Sequence, residues 1–334
     1  MGVRVSTGWL LLLLPLLLQA AEEVGYPANP AISSQAYFVA ANGLSRIDRA
    51  TGKRQWQALE GSQLNSPVLI DGRVVVSSGR QLMVIDEASG ELRWARDISG
   101  EPFAPVVAGD RVYVATHEGA LIAFSLERGT RLWQIKPGRG WVYPPAVQGR
   151  RLITGGQDGI LWAVDAESGK VLWQRSLDQE LVYAPLAADD RLLIATTFSG
   201  AVTGLNGETG NTIWKQRFTS PSLQPVLVTG VLVLPGMDGV LRGLEPSTGL
   251  LRWDYVTGAR LLMPLSSRGE RLLVSTDEGG QLILEGASGR LITRRQMQGN
   301  WLAASLISET RAAVFLTRRN EPAAGPVLVY VNGQ

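Results

Sequence analysis

One glycine recurs along most of this chain at nearly constant spacing, and that spacing constrains the fold more than any other feature. It stands at Gly52, Gly90, Gly129, Gly169, Gly210, Gly249 and Gly289, in steps of 38 to 41 residues. A tryptophan follows four residues after the first six, at Trp56, Trp94, Trp133, Trp173, Trp214 and Trp253, and Thr293 replaces it in the seventh copy. A proline marks the other end of the unit, at Pro67, Pro105, Pro145, Pro185, Pro225 and Pro264. Independent markers with one period identify a repeat protein, in which each unit buries its apolar surface against its neighbours.

The unit covering residues 144–176 reads as four short strands, A to D, at 145–147, 151–154, 160–164 and 170–173. The B-to-C link reads as a two-residue hairpin ending in glycine, at Asn42-Gly43, Glu118-Gly119, Asp158-Gly159, Ser199-Gly200, Asp238-Gly239 and Glu278-Gly279. Such turns demand positive φ. The C-to-D link runs from Asp48 to Gly52, Asp86 to Gly90 or Asp165 to Gly169, where a carboxylate can accept from N–H groups two or three residues on. Four strands in about 40 residues imply a β-propeller. Seven units carry all four strands, and the tail adds three more strand-like runs near 304–307, 312–316 and 327–331. The expectation is therefore an all-β, eight-bladed β-propeller of four-stranded blades, with residues 22–29 placed to supply the missing strand of the last blade. Seven blades plus an attached tail is the alternative.

Arg4, the apolar run at 9–18 and Gln19-Ala20-Ala21 have the order of a signal peptide spanning residues 1–21. The run is shorter than the ~20 residues of a spanning helix; an uncleaved anchor is the other reading. Residues 22–334 would then form a single propeller domain, exported to the periplasm as a monomer. Absence of cysteine excludes disulfides, thiolate chemistry and an acylated N-terminal cysteine, and one histidine is too few for a multi-His metal centre. With 32 Lys and Arg against 30 Asp and Glu, there is no electrostatic case for nucleic-acid binding.

The repeat also accounts for residues that might otherwise suggest chemistry. Arg73, Arg111, Arg151, Arg191, Arg271 and Arg311 all open strand B and read as solvated turn positions. The six tryptophans read as structural docking residues, each indole N–H aimed at an acceptor in a neighbouring blade. His117 reads as an exposed turn residue, and Asp189-Asp190 as an A-to-B turn rather than a metal site.

The unit A-x-D-x-x-(S/T)-G-x-x-x-W, complete at Ala163 to Trp173 and partial in five other copies, resembles the tryptophan-docking repeat of the pyrroloquinoline-quinone-like propellers. That superfamily includes large quinone-dependent alcohol dehydrogenases and the small, non-catalytic BamB lipoproteins of the outer-membrane protein assembly machine. Eight blades here would use about 39 residues each, leaving little chain for the long loops that hold quinone and calcium in the enzymes. The resemblance implies a non-enzymatic periplasmic scaffold that binds envelope proteins, including the outer-membrane assembly barrel, and acts in outer-membrane β-barrel protein assembly. No catalytic, cofactor-binding or metal residue is assigned. The alternative is a small-molecule or quinone-binding propeller, including a quinone-linked dehydrogenase. BamB proteins are usually tethered through a lipidated cysteine. Without one, this chain is either a soluble relative held at the outer membrane by its partners or a branch with another task.

In a propeller of this order the D-to-A and B-to-C connections share one face. Two residues before the repeat proline stand Phe103, Tyr143 and Tyr183 in successive units, and the fullest loop adds Arg139 and Trp141. Arg260 and Trp301 occupy comparable loops of later units. Trp, Tyr and Arg are enriched at interface hot spots. These side chains either bind a protein segment or plug the channel as core.

Overall fold

The middle residues of strands B and C are mostly apolar and buried, as in strands covered on both faces. The computed structural model describes residues 28–40, 42–261, 265–277 and 280–296, together with the backbone of strands Trp301–Ile307, Ala312–Arg318 and Val327–Val331. The signal segment 1–21, residues 22–27, Glu278-Gly279, Pro264 and Arg311 lie outside the described residues.

Seven antiparallel sheets have four strands each, in the order A-B-C-D. Blade four is representative, with Ala146–Gln148, Arg151–Gly155, Ile160–Asp165 and Val171–Ser176. Innermost A strands lie beside one another around the axis, for instance Val68–Ile70 beside Val106–Ala108. The D strands form the outer wall, at Arg54–Ala58, Leu92–Asp97, Arg131–Ile135, Val171–Ser176, Thr212–Arg217, Leu251–Val256 and Leu291–Gln296. Between successive blades from one to seven lies a separate apolar core. The core between blades two and three joins Val75, Val84 and Trp94 to Val112, Ile122 and Phe124.

Every C–D pair carries a β-bulge at the same place. In blade four Ala163 pairs with Trp173 and Val164 with Val171, so Leu172 is the extra residue. A bulge sharpens the local twist and re-aims a side chain. Here it turns each tryptophan toward the next blade. The indole of Trp133 lies against Gly169 and its Nε1–H donates to the Ala166 carbonyl at 3.2 Å. Equivalent bonds run from Trp56 to Glu87, Trp94 to Leu126, Trp173 to Gly207 and Trp214 to Pro246, at 2.8 to 3.2 Å. Trp253 packs on Gly289, but its Nε1–H finds no partner among the described residues.

The glycine that receives the indole ends the C-to-D turn. Asp165 Oδ1 accepts from the Ser168 N–H and hydroxyl at 2.8 and 2.7 Å, and Gly169 follows with φ +74°. The same turn at Asp86 holds its carboxyl well below the usual carboxylate range, through the Arg93 guanidinium and then the Ser89 N–H.

The expectation of eight four-stranded blades is corrected to seven. Among the described residues the C-terminal sheet has three strands, Trp301–Ile307, Ala312–Arg318 and Val327–Val331, in that order. Residues 28–30 carry no strand, and Ala31–Ile32 pair with Tyr37 and Phe38 as the inner strand of blade one. Thr293 stands where the other blades carry the docking indole, so the joint that defines each earlier boundary is not repeated after blade seven. The B-to-C hairpins differ too. Thr116 N–H donates to the Ala120 carbonyl at 2.9 Å, enclosing His117, Glu118 and Gly119 in a three-residue loop with glycine at φ +82°. This is the turn-plus-bulge hairpin, not the two-residue one.

The arginines opening strand B are also not merely solvated. Arg73 pairs with Glu127, and Arg111 donates to the Glu167 carbonyl at 2.8 Å, so both reach the C-to-D link of the following blade. Asp189 is a turn residue, accepting from the Arg191 and Leu192 N–H groups at 2.7 Å each.

Two glycines with similar backbone angles separate the packing role from the conformational one. Gly109 has φ +57° and open space at its Cβ position, whereas a Cβ on Gly169 would meet the Trp133 ring at 2.8 Å. Gly109→Ala is expected to cost about 1–2 kcal/mol, the left-handed penalty alone. Gly169→Ala adds about 1–3 kcal/mol of overpacking. Urea unfolding of the two variants checks the difference.

Candidate protein-interaction face

The D-to-A loops and B-to-C hairpins are joined by a hydrogen bond repeated from blade to blade. The carbonyls of Glu101, Trp141, Glu180, Pro221 and Arg260 accept from the N–H groups of His117, Gln157, Phe198, Met237 and Asp277, at 2.9 to 3.3 Å. Both kinds of loop therefore lie on one face. The hairpin glycines permit the contact, since a Cβ on Gly119 would meet the Gly140 carbonyl oxygen at 2.5 Å.

On this face the structure brings Phe103, Trp141, Tyr143 and Tyr183 into one cluster across blades three to five. Ring centroids are 6.5 Å apart for Phe103 and Trp141, 5.6 Å for Phe103 and Tyr143, and 6.4 Å for the stacked Tyr143 and Tyr183. The fifth member is His117, which the sequence reading left as an exposed turn residue. Its ring lies 4.2 Å from Phe103 and 4.8 Å from Trp141, and its side chain is 22% exposed. The one sequence signal for it was its place in the B-to-C loop directly opposite the aromatic D-to-A position.

The members differ in exposure, so neither sequence reading describes them all. Tyr143 is buried, 8% exposed, and packs with Ile153, Leu161 and Leu193 as core. Phe103, Trp141 and Tyr183 are half-buried. Tyr183 is not the equivalent of Tyr143. Val182 makes the matching bond to Thr196, at 3.0 Å, so blade five has one extra residue here, and Tyr183 reaches the cluster from beside the repeat position.

Trp141 is held by blade four itself. Its N–H donates to Gln157 Oε1 at 3.3 Å, and the Arg139 N–H donates to Asp158 Oδ2 at 3.1 Å, which leaves the Arg139 side chain exposed. Acids border the rings. Glu101 Oε2 lies 4.0 Å from His117 Nδ1, the Glu118 carboxylate accepts from the Glu101 N–H at 2.8 Å, and burial raises the Glu180 carboxyl above its usual range. Arg260 is exposed on the same ring of loops, at the position Trp141 holds in blade four, and is not part of the cluster. Trp301 is the first residue of strand Trp301–Ile307 rather than a loop residue, and its side chain lies outside the described residues. Among the described residues, no group of three or more His, Asp or Glu side chains converges. No helix there is long and apolar enough to cross a membrane.

A family model described as outer membrane protein assembly factor BamB matches residues 40–181, 129–197 and 158–333. The chain belongs to the BamB family. The outer membrane protein assembly factor BamB of Burkholderia pseudomallei (strain K96243) is 31% identical over 112 residues, covering 32% of this chain and 29% of the relative. The match thus spans less than a third of that relative's length. The crystal structure of BamB from Moraxella catarrhalis superimposes with a TM-score of 0.72 at 20% identity, over 91% of this chain and 96% of that one. A computationally designed protein, Ika8, gives 0.78 at 13% identity, over 92% and 96%. At such identities the two structures speak for the fold alone.

Burial raises the Tyr143 phenol far above its ordinary range, with smaller contributions from Tyr183 and Glu180. A pKa raised on folding gives stability that is complete below the unfolded value near 10 and is lost as pH rises through the folded one. Stability should therefore decline above about pH 10 more steeply in the native protein than in Tyr143→Phe. Urea midpoints at a series of alkaline pH values test this.

Proposed function

We propose that this chain is a non-enzymatic periplasmic scaffold of outer-membrane β-barrel protein assembly. It captures envelope proteins, the assembly barrel among them, on the face formed by its D-to-A and B-to-C loops. The observation that carries the reading is the continuous cluster of Phe103, His117, Trp141, Tyr143 and Tyr183 across three blades, with half-buried rings over a buried base. A rigid aromatic platform of this kind has the composition of an interaction hot spot. Family membership gives the biological setting, and export through residues 1–21 is part of the same proposal.

Arg139 stands next to the platform as an exposed cation, and Glu101 and Glu118 border the rings at His117. A partner segment would therefore lay an apolar anchor on the rings and set its own charges against this pair of opposite signs. Electrostatic matching of that sort fixes register and approach more than affinity.

Crosslinked affinity capture from the native envelope is expected to recover an outer-membrane assembly barrel. Trp141→Ala combined with Arg139→Ala should weaken that capture by at least about tenfold, the loss of a single moderate hot spot. The thermal midpoint should change little, because Arg139 is exposed and Trp141 lies outside the inter-blade cores. Undiminished capture by the folded double variant would place the partner elsewhere on the molecule.

A further inference from the structure

The seven D strands that make the outer wall hold ten Lys or Arg and only two acids, Asp97 and Asp254. The whole chain has 32 basic against 30 acidic residues, which leaves 22 against 28 for everything outside these strands. The fold has therefore sorted a nearly neutral sequence into a basic wall and an acidic remainder. Edge strands commonly carry charge, lysine above all, to prevent edge-to-edge pairing. That role does not account for the aliphatic side chains exposed among the cations of this wall.

The same wall exposes aliphatic side chains. The bulge that aims each tryptophan inward leaves its preceding residue outside, and in blades three, four and five that residue is Leu132, Leu172 and Ile213, 45%, 49% and 52% exposed. Leu92 adds a fourth in blade two. Cations and aliphatics therefore share one surface, with Leu132, Leu172 and Ile213 at one height on it.

The cations differ from sector to sector. In blades two, five and six part of the wall is neutralised from within, Arg93 by Asp86, Lys215 and Arg217 by Asp178 and Arg252 by Glu245. In blades two to four, Arg96, Arg131 and Arg175 make hydrogen bonds only to neutral groups, among them the Arg128 carbonyl, Gln134 and the Gly210 carbonyl. Lys170 is exposed beside Leu172. Glu91, Asp97 and Asp178 are the exposed acids nearest in sequence, Asp178 being engaged by Lys215 and Arg217, and Glu127 and Glu167 are engaged by Arg73 and Arg150.

We propose that the outer wall of blades two to four rests on an anionic phospholipid bilayer, with Arg96, Arg131, Lys170 and Arg175 at the phosphates and Leu132 and Leu172 in the interfacial layer. Charge complementarity selects an anionic surface, and the interleaved aliphatics select lipid over nucleic acid, where aromatic stacking would be expected. The contact is distinct from the loop face and leaves that face free.

The test is sedimentation of the full mature chain with vesicles of phosphatidylethanolamine containing about a quarter phosphatidylglycerol, against phosphatidylcholine vesicles. Binding is expected only with the anionic vesicles and should be abolished at about 0.5 M salt. Arg131→Glu with Lys170→Glu should lower partitioning about twentyfold or more, as loss of two surface cations implies. Leu132→Ser with Leu172→Ser should weaken binding while keeping its salt dependence. Arg252→Glu in blade six should leave it unchanged. Thermal midpoints confirm that each variant is folded. Three results would overturn the proposal: no preference for anionic vesicles, an equal loss in Arg252→Glu, or tighter retention on duplex DNA than on the vesicles.

Discussion

The joint between consecutive blades is an indole laid on a glycine, and the ring is organised around it. Two local features must coincide to form it. The bulge in one blade turns the tryptophan out of its own sheet, and the C-to-D turn of the next blade ends in a left-handed glycine with no side chain to obstruct the ring. The indole N–H then finds a carbonyl in the same turn. Removing a buried indole costs about 3–5 kcal/mol, while a folded domain is stable by only about 5–15 kcal/mol. One joint is thus a large part of the margin, which explains why the motif recurs with so little drift in spacing.

The joint also fixes the loops. Because each blade is docked at its outer, C-to-D end, the opposite ends of strands B and D converge on one face, and the backbone bonds from His117 to Glu101 and from Gln157 to Trp141 lock neighbouring loops in register. A cluster drawn from three blades can then form without any long loop. Phe103, Trp141 and Tyr183 belong to different D-to-A connections, yet the repeat brings Phe103 to Trp141 and links Tyr183 to them through Tyr143. The scaffold's regularity supplies the rigidity that an interaction surface needs.

Periodicity made the fold legible because glycine and tryptophan are required by backbone geometry and packing, and so survive as visible markers. The count at the C-terminus was not legible. Strand-like runs at 304–307, 312–316 and 327–331 look alike in sequence whether or not a fourth strand pairs with them, and only the pairing shows a three-stranded sheet. For the face, the aromatic positions could be read from the proline spacing, but His117 could not, since its stacking depends on a three-residue hairpin that the sequence suggested as two. The one-residue insertion in blade five, which gives Val182 the place expected of Tyr183, was hidden for the same reason. Spacing to the next proline does not show where the backbone bonds fall.

Charge sorting on the wall follows from the same geometry. In the first six D strands the tryptophan must face the neighbouring blade, so alternate residues and the bulge residue face outward. Those outward positions are free of packing constraints, and a chain that only needed solubility could fill them with either sign. Here the exposed charges in blades two to five are Arg93, Arg96, Arg131, Lys215 and Arg217 against Asp97, with leucine or isoleucine at the bulge of blades three to five. Internal neutralisation by Asp86, Asp178 and Glu245 reaches Arg93, Lys215, Arg217 and Arg252, while Arg96, Arg131 and Arg175 bond only to neutral groups. A repeat that must be the same in every blade for its joints is thus free to differ from blade to blade on its outer surface, and that freedom gives one side of a near-symmetric ring a chemistry of its own.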